Sequence, residues 1–155
     1  MRTLPLEILG DTDIMIRIRA YQDKDREQVI SLWKTCKLTR PWNDPNKDID
    51  RKTGVGNELF IILEVENQLI GTVKGEYDGH RGVMNYLAVH PKLQGRGFGK
   101  MLVEAIENKL VNLGCPKVNL RIRRDNHEVS NFYESVQYSK QEDVQVFGKQ
   151  LIPDS

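Results

Sequence analysis

The sequence has few cysteines, no long apolar run and almost no net charge. Its two cysteines, Cys36 and Cys115, lie far apart with no histidine or cysteine at ligand spacing, so we expect neither a disulfide framework nor a zinc site. No apolar stretch approaches the roughly 20 residues that cross a bilayer, and the N-terminus lacks the apolar core of a secretory signal. A formal net charge of +1 argues against general nucleic-acid binding. We therefore expect a cytoplasmic protein with no metal, no membrane and no nucleic-acid partner.

The length and composition suit one globular domain. The chain has 155 residues, of which 39% are hydrophobic and 29% charged. This length is enough for one domain with a real core but tight for two. We expect an N-terminal tail over residues 1–14 and a single domain over residues 15–155.

One glycine-rich stretch, Tyr86–Lys100, contains the strongest functional signal. An apolar strand breaks at Pro91, and three glycines follow at positions 95, 97 and 99. A helix then begins, with apolar residues at every fourth position from Leu102 to Leu110. Glycines at a helix start leave backbone N–H groups open at the positive end of the helix dipole. This arrangement predicts a site for an anion, typically a phosphate.

The spacing of these glycines excludes two common phosphate loops. A Walker A loop needs Ser or Thr after the lysine, whereas Met101 follows Lys100. A Rossmann dinucleotide loop needs Gly-x-Gly-x-x-Gly, but the glycines here are spaced Gly-x-Gly-x-Gly. The alternative is a tight strand-to-helix turn that binds nothing.

Hydrophobic periodicity and turn residues predict alternating strands and helices over the rest of the chain. The predicted strands cover residues 15–20, 59–65, 69–77, 83–89 and 117–123, with two more at 144–147 and 149–152. The predicted helices run from Asp23 to about Cys36, over 48–52, from the glycine loop to about Asn112, and after Asp125 or Asn126. Short turns join the middle three strands into an antiparallel meander. Strands 83–89 and 117–123 are joined by a helix and should run parallel.

From Ile16 to Ile152 the chain resembles the GCN5-related N-acetyltransferases. The resemblance depends on Gln94-x-x-Gly97-x-Gly99 with its preceding strand, and on Asn126, Val129, Phe132-Tyr133-Glu134 and Tyr138. Three further stretches, 40–45, 77–82 and 114–117, resemble the bacterial YpeA-type acetyltransferases. The implied fold is α+β in three layers (α/β): a mixed, mostly antiparallel sheet flanked by helices. Its parallel central strand pair, 83–89 and 117–123, is splayed.

The resemblance implies acetyl-CoA as co-substrate. The pantetheine arm would lie between the splayed strands, and the pyrophosphate would bind the amides of the glycine loop, with Arg96 and Lys100 adding charge. Asn126 would contact the pantetheine arm, although an asparagine here could also be only a helix cap. Arg96 and Lys100 could likewise be merely solvated charges. The full implied set is Leu87, Ala88, Val89, Gln94, Gly95, Arg96, Gly97, Phe98, Gly99, Lys100 and Asn126.

The resemblance also implies a direct reaction in which the acceptor amine attacks the thioester. Backbone amides near Leu87 would hold the oxyanion, and Tyr133 would protonate the departing thiolate as general acid. The alternative is that Tyr133 only packs in the core. Val83 occupies the position of the catalytic Glu of histone-type members, so no base can be transferred. The candidates for the base are Glu76, Asp78, His80 or a water chain. Trp42 and the hairpin Tyr77–Gly82 are candidate acceptor contacts.

The acceptor itself is not specified by the sequence. We expect a primary amine on a small molecule or a peptide, and a homodimer is possible. A longer acyl group could replace acetyl. Two other functions remain open: a non-catalytic acyl-CoA-binding or regulatory domain, and a protein-interaction module whose glycine loop is purely structural.

Overall fold

The computed structural model describes residues 14–53 and 57–153, and the predicted tail therefore lies almost wholly outside the described residues. The elements in chain order are β1 Ile16–Ala20, α1 Arg26–Thr35, α2 Pro45–Thr53, β2 Phe60–Val65, β3 Gln68–Tyr77, β4 Gly82–Val89, α3 Phe98–Asn112, β5 Val118–Asn119 and α4 His127–Ser135. Single 3₁₀ turns precede α1, β2 and α3. No helix in the described ranges is long and apolar enough to cross a bilayer.

The five strands form one mixed sheet in the order β1-β2-β3-β4-β5. The first four pair antiparallel, and β4 pairs with β5 in parallel through the crossover helix α3. The parallel ladder contains only the pairs Gly82–Val118 and Val83–Asn119. Residues 84–89 therefore have no strand partner on the side away from β3 within the described chain. We call this segment the open β4 edge. The expected mixed sheet, meander and parallel crossover are confirmed.

Helices cover both faces of the sheet because its strands are apolar on both sides. On one face, Ile61, Leu63 and Val65 of β2 pack in the same cluster as the buried face of α3 and Tyr133 of α4. On the other face, Phe60 and Ile62 pack with Val29 and Trp33 of α1 and with Ile49 of α2. The layers are thus helix, sheet and helix, as the α+β fold class predicts.

The structure corrects three expected elements. The strand expected over 117–123 is reduced to Val118–Asn119, because the chain beyond it forms no ladder with β4. The strands expected at 144–147 and 149–152 are absent: residues 139–153 have no regular structure and are exposed, with Phe147 at 89%. Alternating apolar residues form a strand only when they pair with a neighbouring strand, and residues 139–153 join no ladder of the sheet. The expected helix 48–52 is longer and starts at Pro45, where proline is favoured at a first helical turn.

Candidate active site

The glycine loop connects β4 to α3 through backbone conformations that other residues avoid. Gly95 and Gly97 have φ of 78° and 89°, in the left-handed region, and Gly97 is the residue that caps α3. A Cβ at either position would meet nothing within 4 Å. Backbone conformation therefore selects glycine at these two positions, and the space above them is open.

The loop presents a set of unpaired backbone donors. Within the described chain, the N–H groups of residues 94–100 donate to no backbone or side-chain acceptor, and the first internal bond comes from the Met101 amide to the Gly97 carbonyl at 3.0 Å. These amides lie at the N-terminus of the 15-residue helix α3. Arg96 is exposed, and the Lys100 ammonium lies 4.0 Å from Glu104. Free N–H groups and the positive helix end together form an environment that favours an anion.

The side chain of Gln94 ties the loop to the end of β4. Its Nε2 donates to the Val89 carbonyl at 2.9 Å, and the Cys36 thiol donates to the same oxygen at 3.3 Å. A carbonyl oxygen accepts about two hydrogen bonds. The Val89 carbonyl is therefore already saturated. A pantetheine arm that pairs with the backbone around Leu87 and Val89 must use other N–H and C=O groups. Burial raises the pKa of the Cys36 thiol, which keeps it protonated.

Glycine at position 99 is required by packing, whereas glycine at positions 95 and 97 is required by backbone conformation. A Cβ on Gly99 would lie 3.1 and 3.2 Å from two ring atoms of Phe132. The first turn of α3 thus packs directly against α4. The sequence motif gives no sign that this third glycine serves packing between helices.

Tyr133 is buried, as its position on the apolar face of α4 predicts. It is 7% exposed and meets Phe132 and Tyr138 edge-on, with ring centroids 5.2 and 5.6 Å apart. Its hydroxyl forms no hydrogen bond with the described part of the chain. Burial raises the pKa of Tyr133 above its usual value. The hydroxyl therefore keeps its proton at neutral pH and has that proton available for a ligand.

Asn126 caps α4. Its Oδ1 accepts from the Val129 amide at 3.2 Å, and the residue is exposed. The side-chain Nδ2 group donates to nothing among the described residues. Capping therefore leaves this donor available for a contact with a ligand.

The open β4 edge contains a bulge that no sequence pattern signalled. Tyr86 has φ of 51°, and the β3–β4 register shifts between Thr72 and Lys74. Thr72 Oγ1 donates to the Tyr86 carbonyl at 2.9 Å, and the Trp33 ring stacks on the Tyr86 ring at 3.8 Å. A bulge re-aims the backbone groups of the residues beside it. Here the residue that follows is Leu87.

A polar cluster surrounds the Tyr86 hydroxyl, and sequence analysis missed it. The hydroxyl donates to Asp48 Oδ2, and Asn43 Nδ2 donates at 2.8 Å to both of these oxygens. Lys74 is 7% exposed, with its Nζ 5.2 Å from the Tyr86 ring centroid, and burial lowers its pKa. The α1–α2 loop is thereby fixed against β4.

The candidate acceptor contacts fall into two groups. Trp42 is 57% exposed, beside Asn43, with the Arg123 guanidinium 5.5 Å from its ring centroid.

Asp78 and His80 lie in the β3–β4 hairpin, beyond the end where β4 pairs with β5. Asp78 Oδ1 accepts from the amides of His80 and Arg81 at 2.7 and 2.8 Å, and these bonds lower the pKa of its carboxyl. The Asp78 carboxylate thus stabilises its own turn.

Glu76, the remaining candidate, lies on the sheet face that carries Lys74, two positions away on β3. Side chains two apart on a strand share a face. The Glu76 carboxylate is exposed. Burial lowers the pKa of Lys52 and of Lys74, and the negative charge of Glu76 partly offsets this by raising the pKa of both. It therefore lies on the same side of the sheet as Tyr86, in contrast to the hairpin residues.

A parallel β4–β5 crossover, an open strand edge and an amide-lined loop between them define an acyl-CoA N-acyltransferase architecture. Comparison with known proteins identifies the family. The model of the acetyltransferase (GNAT) family matches residues 26–138, and the chain belongs to this family. It is an acetyltransferase, and acetyl-CoA is its co-substrate.

Individual relatives agree with this assignment. Acetyltransferase YE1169 of Yersinia enterocolitica is 48% identical over 139 residues, which span 90% of this chain and 98% of the relative. The structure of Ard1 from Thermoplasma volcanium has a TM-score of 0.72 at 24% identity, covering 80% of this chain and 82% of Ard1. The aminoglycoside N-acetyltransferase AAC(6')-Iy in complex with CoA has a TM-score of 0.70 at 16% identity, covering 89% of this chain and 97% of that enzyme. These two structures share the fold.

Proposed function

We propose that residues 15–155 form one N-acetyltransferase domain that moves the acetyl group of acetyl-CoA to a primary amine of a small molecule or a peptide. The neutral amine attacks the thioester carbonyl directly, the carbon–sulfur bond breaks, and the proton lost by the amine passes to water. The observation that carries the proposal is the run of amides 94–100, which have no acceptor in the described chain and surround open space at the N-terminus of α3. These donors suit the pyrophosphate of CoA.

The chemistry follows from the elements beside this loop. The open β4 edge receives the pantetheine arm, which adds to the sheet as a further strand would. The bulge at Tyr86 aims the neighbouring amide near Leu87 at the oxyanion that develops on the acetyl carbonyl. The Tyr133 hydroxyl, protonated and without a partner in the described chain, gives its proton to the departing thiolate. Asn126 Nδ2 is the additional donor to the arm.

We also propose a homodimer. The C-terminal segment exposes Val144, Val146, Phe147, Leu151 and Ile152 by 64 to 89%. Apolar side chains exposed together mark a surface that another molecule covers. Light scattering across a range of protein concentrations tests for a second copy, and a monomer throughout would contradict it.

Calorimetric titration of acetyl-CoA into the protein tests the main proposal. Gly97→Glu places a carboxylate at the loop and forces a non-glycine residue to φ of 89°, so we expect affinity to fall about 100-fold or more. Gly114→Glu is the matched control. Its φ is 88°, its Cβ position is also open, and it lies at the other end of α3.

The outcomes separate the possible functions. Binding that Gly97→Glu removes and Gly114→Glu retains, followed by amine-dependent thiol release, supports the acetyltransferase proposal. Binding without turnover on any amine indicates an acyl-CoA-binding domain. No binding by the folded wild-type protein contradicts the proposed site.

A further inference from the structure

The chain that follows β5 presents arginines to the face of the sheet that carries Tyr86. Val118, Leu120 and Ile122 pack into the cluster on the α3 side of the sheet. Exposure alternates over the same residues, with Arg121 and Arg123 exposed between these partly buried side chains, so Arg121 and Arg123 point away from the α3 side. The contact between the Arg123 guanidinium and the Trp42 ring, at 5.5 Å, confirms this side for Arg123.

These guanidinium groups are not neutralised by the protein. Residues 117–124 contain four cationic side chains and no acidic one. Arg121 and Arg123 are exposed, and neither forms a hydrogen bond or ion pair with the described part of the chain. The two arginines are two residues apart and alternate with the side chains that pack on the α3 side. This spacing allows both to contact one carboxylate or phosphate.

Two acidic groups on the same face, Asp48 and Glu76, are already engaged. Asp48 accepts from the Tyr86 hydroxyl and from Asn43, and its other oxygen lies 3.7 Å from Arg51. Glu76 lies among the buried ammonium groups of Lys52 and Lys74 and supports their charge. Neither carboxylate forms an ion pair with Arg121 or Arg123 in the described chain.

Arg123 and the Tyr86 hydroxyl contact neighbouring residues of the α1–α2 loop. Trp42, which meets Arg123, is the neighbour of Asn43, which bonds the Tyr86 hydroxyl. The α1–α2 loop thus joins the chain after β5 to the bulge of β4. An acceptor that reaches the bulge with its amine and extends along this loop would meet Trp42 and Arg123.

We propose that the acceptor amine carries an anionic group, a carboxylate or a phosphate, which binds Arg121 and Arg123. This inference is based on the proposed acetyl transfer and specifies the substrate class of the same site. Guanidinium groups bind such anions with paired hydrogen bonds. Polycationic acceptors such as polyamines are disfavoured, because they would bring further positive charge to unpaired arginines.

The test compares acceptors that have the anionic group with matched compounds that lack it. L-Phenylalanine is compared with L-phenylalaninamide, and glucosamine 6-phosphate with glucosamine, while spermidine represents the polycations. Binding to the CoA-saturated protein is measured by calorimetry, and turnover by release of the CoA thiol. We expect the anionic member of at least one pair to bind about tenfold more tightly than its partner. The pair that responds distinguishes carboxylate from phosphate.

Arg121→Ala should remove this tenfold preference while acetyl-CoA affinity is unchanged. Arg17→Ala is the control, since Arg17 is exposed on β1 at the opposite edge of the sheet. Arg121→Lys should restore part of the preference. Equal affinity within both pairs, no binding by either anionic compound, tighter binding of spermidine, or a preference that survives Arg121→Ala would overturn the inference. Retained CoA binding and turnover in those cases would leave the acetyltransferase proposal intact.

Discussion

Replacement of Tyr133 by phenylalanine separates a catalytic hydroxyl from a packing ring. The ring is 7% exposed and meets Phe132 and Tyr138 edge-on, and phenylalanine preserves these contacts. The hydroxyl forms no hydrogen bond with the described chain, so its removal leaves no protein group unpaired. We expect the free energy of unfolding to change by no more than about 0.5 kcal/mol.

The effect on turnover should be much larger. General acid catalysis typically contributes about 10²–10⁴ in rate, so we expect kcat to fall at least about 100-fold, or about 2.7 kcal/mol in activation free energy. The affinity for acetyl-CoA should be nearly unchanged, because the donors of the glycine loop are untouched. The assay is amine-dependent release of the CoA thiol, measured alongside calorimetric titration of acetyl-CoA.

Tyr138→Phe is the matched control with the opposite expectation. The Tyr138 hydroxyl donates to Glu107 at 2.8 Å, so its loss should cost about 1 kcal/mol of stability and leave kcat nearly intact. Full activity of Tyr133→Phe, or equal activity losses in the two variants, would refute the assignment of Tyr133 as general acid.

The pKa of Tyr133 adds a pH test of the same assignment. Burial raises this pKa, and an acid catalyst acts only in its protonated form. Since an unperturbed tyrosine titrates near about pH 10, Tyr133 remains protonated up to at least that pH. The wild-type kcat should therefore show no decline from this group below about pH 10. A decline that Tyr133→Phe removes would contradict the raised pKa.

Two further substitutions test the elements that hold the site together. In the wild-type protein Thr72 Oγ1 donates to the Tyr86 carbonyl and accepts from the buried Trp33 Nε1 at 3.0 Å. Thr72→Val removes both hydrogen bonds, and urea denaturation should show a loss of about 2–3 kcal/mol in the free energy of unfolding. Thr72→Ser keeps the hydroxyl and should be close to wild type. Gly99→Ala should destabilise by about 1 kcal/mol despite the helix propensity of alanine, because its Cβ meets Phe132 at 3.1 Å. Phe132→Leu in the same chain should relieve that loss, and a stabilising Gly99→Ala would contradict the packing argument.

The elements that sequence analysis located were those whose signal is local. Helix α3 combines a glycine start, apolar residues at every fourth position and Gly114 as its stop, and its bounds agree with the structure. Likewise, the alternation in β3 and the turn residues on either side predicted the meander. These features depend on neighbours within a few positions, which the sequence displays directly.

The features that sequence analysis missed depend on tertiary contacts. The bulge at Tyr86 is fixed by Thr72, 14 positions earlier, and by the Trp33 ring. Asp48 reaches Tyr86 only because α2 packs on the sheet, 38 positions away in sequence. The expected strands at 144–147 and 149–152 failed for the converse reason. Their alternation is genuine, but a strand also has to pair with a neighbour, and the sequence does not show whether that pairing forms.

The three glycines of the loop illustrate both limits within one motif. Gly95 and Gly97 allow left-handed backbone and open the amides to a ligand, whereas Gly99 allows Phe132 of α4 to approach the first turn of α3. The last contact sets the distance between the anion site and Tyr133, the next residue on α4. A residue larger than glycine at position 99 would crowd the Phe132 ring, so we expect it to disturb the packing of α4 that positions the proposed acid. The motif therefore specifies the placement of Tyr133 relative to the loop as well as the anion site, and this second role follows only from the packing of α4.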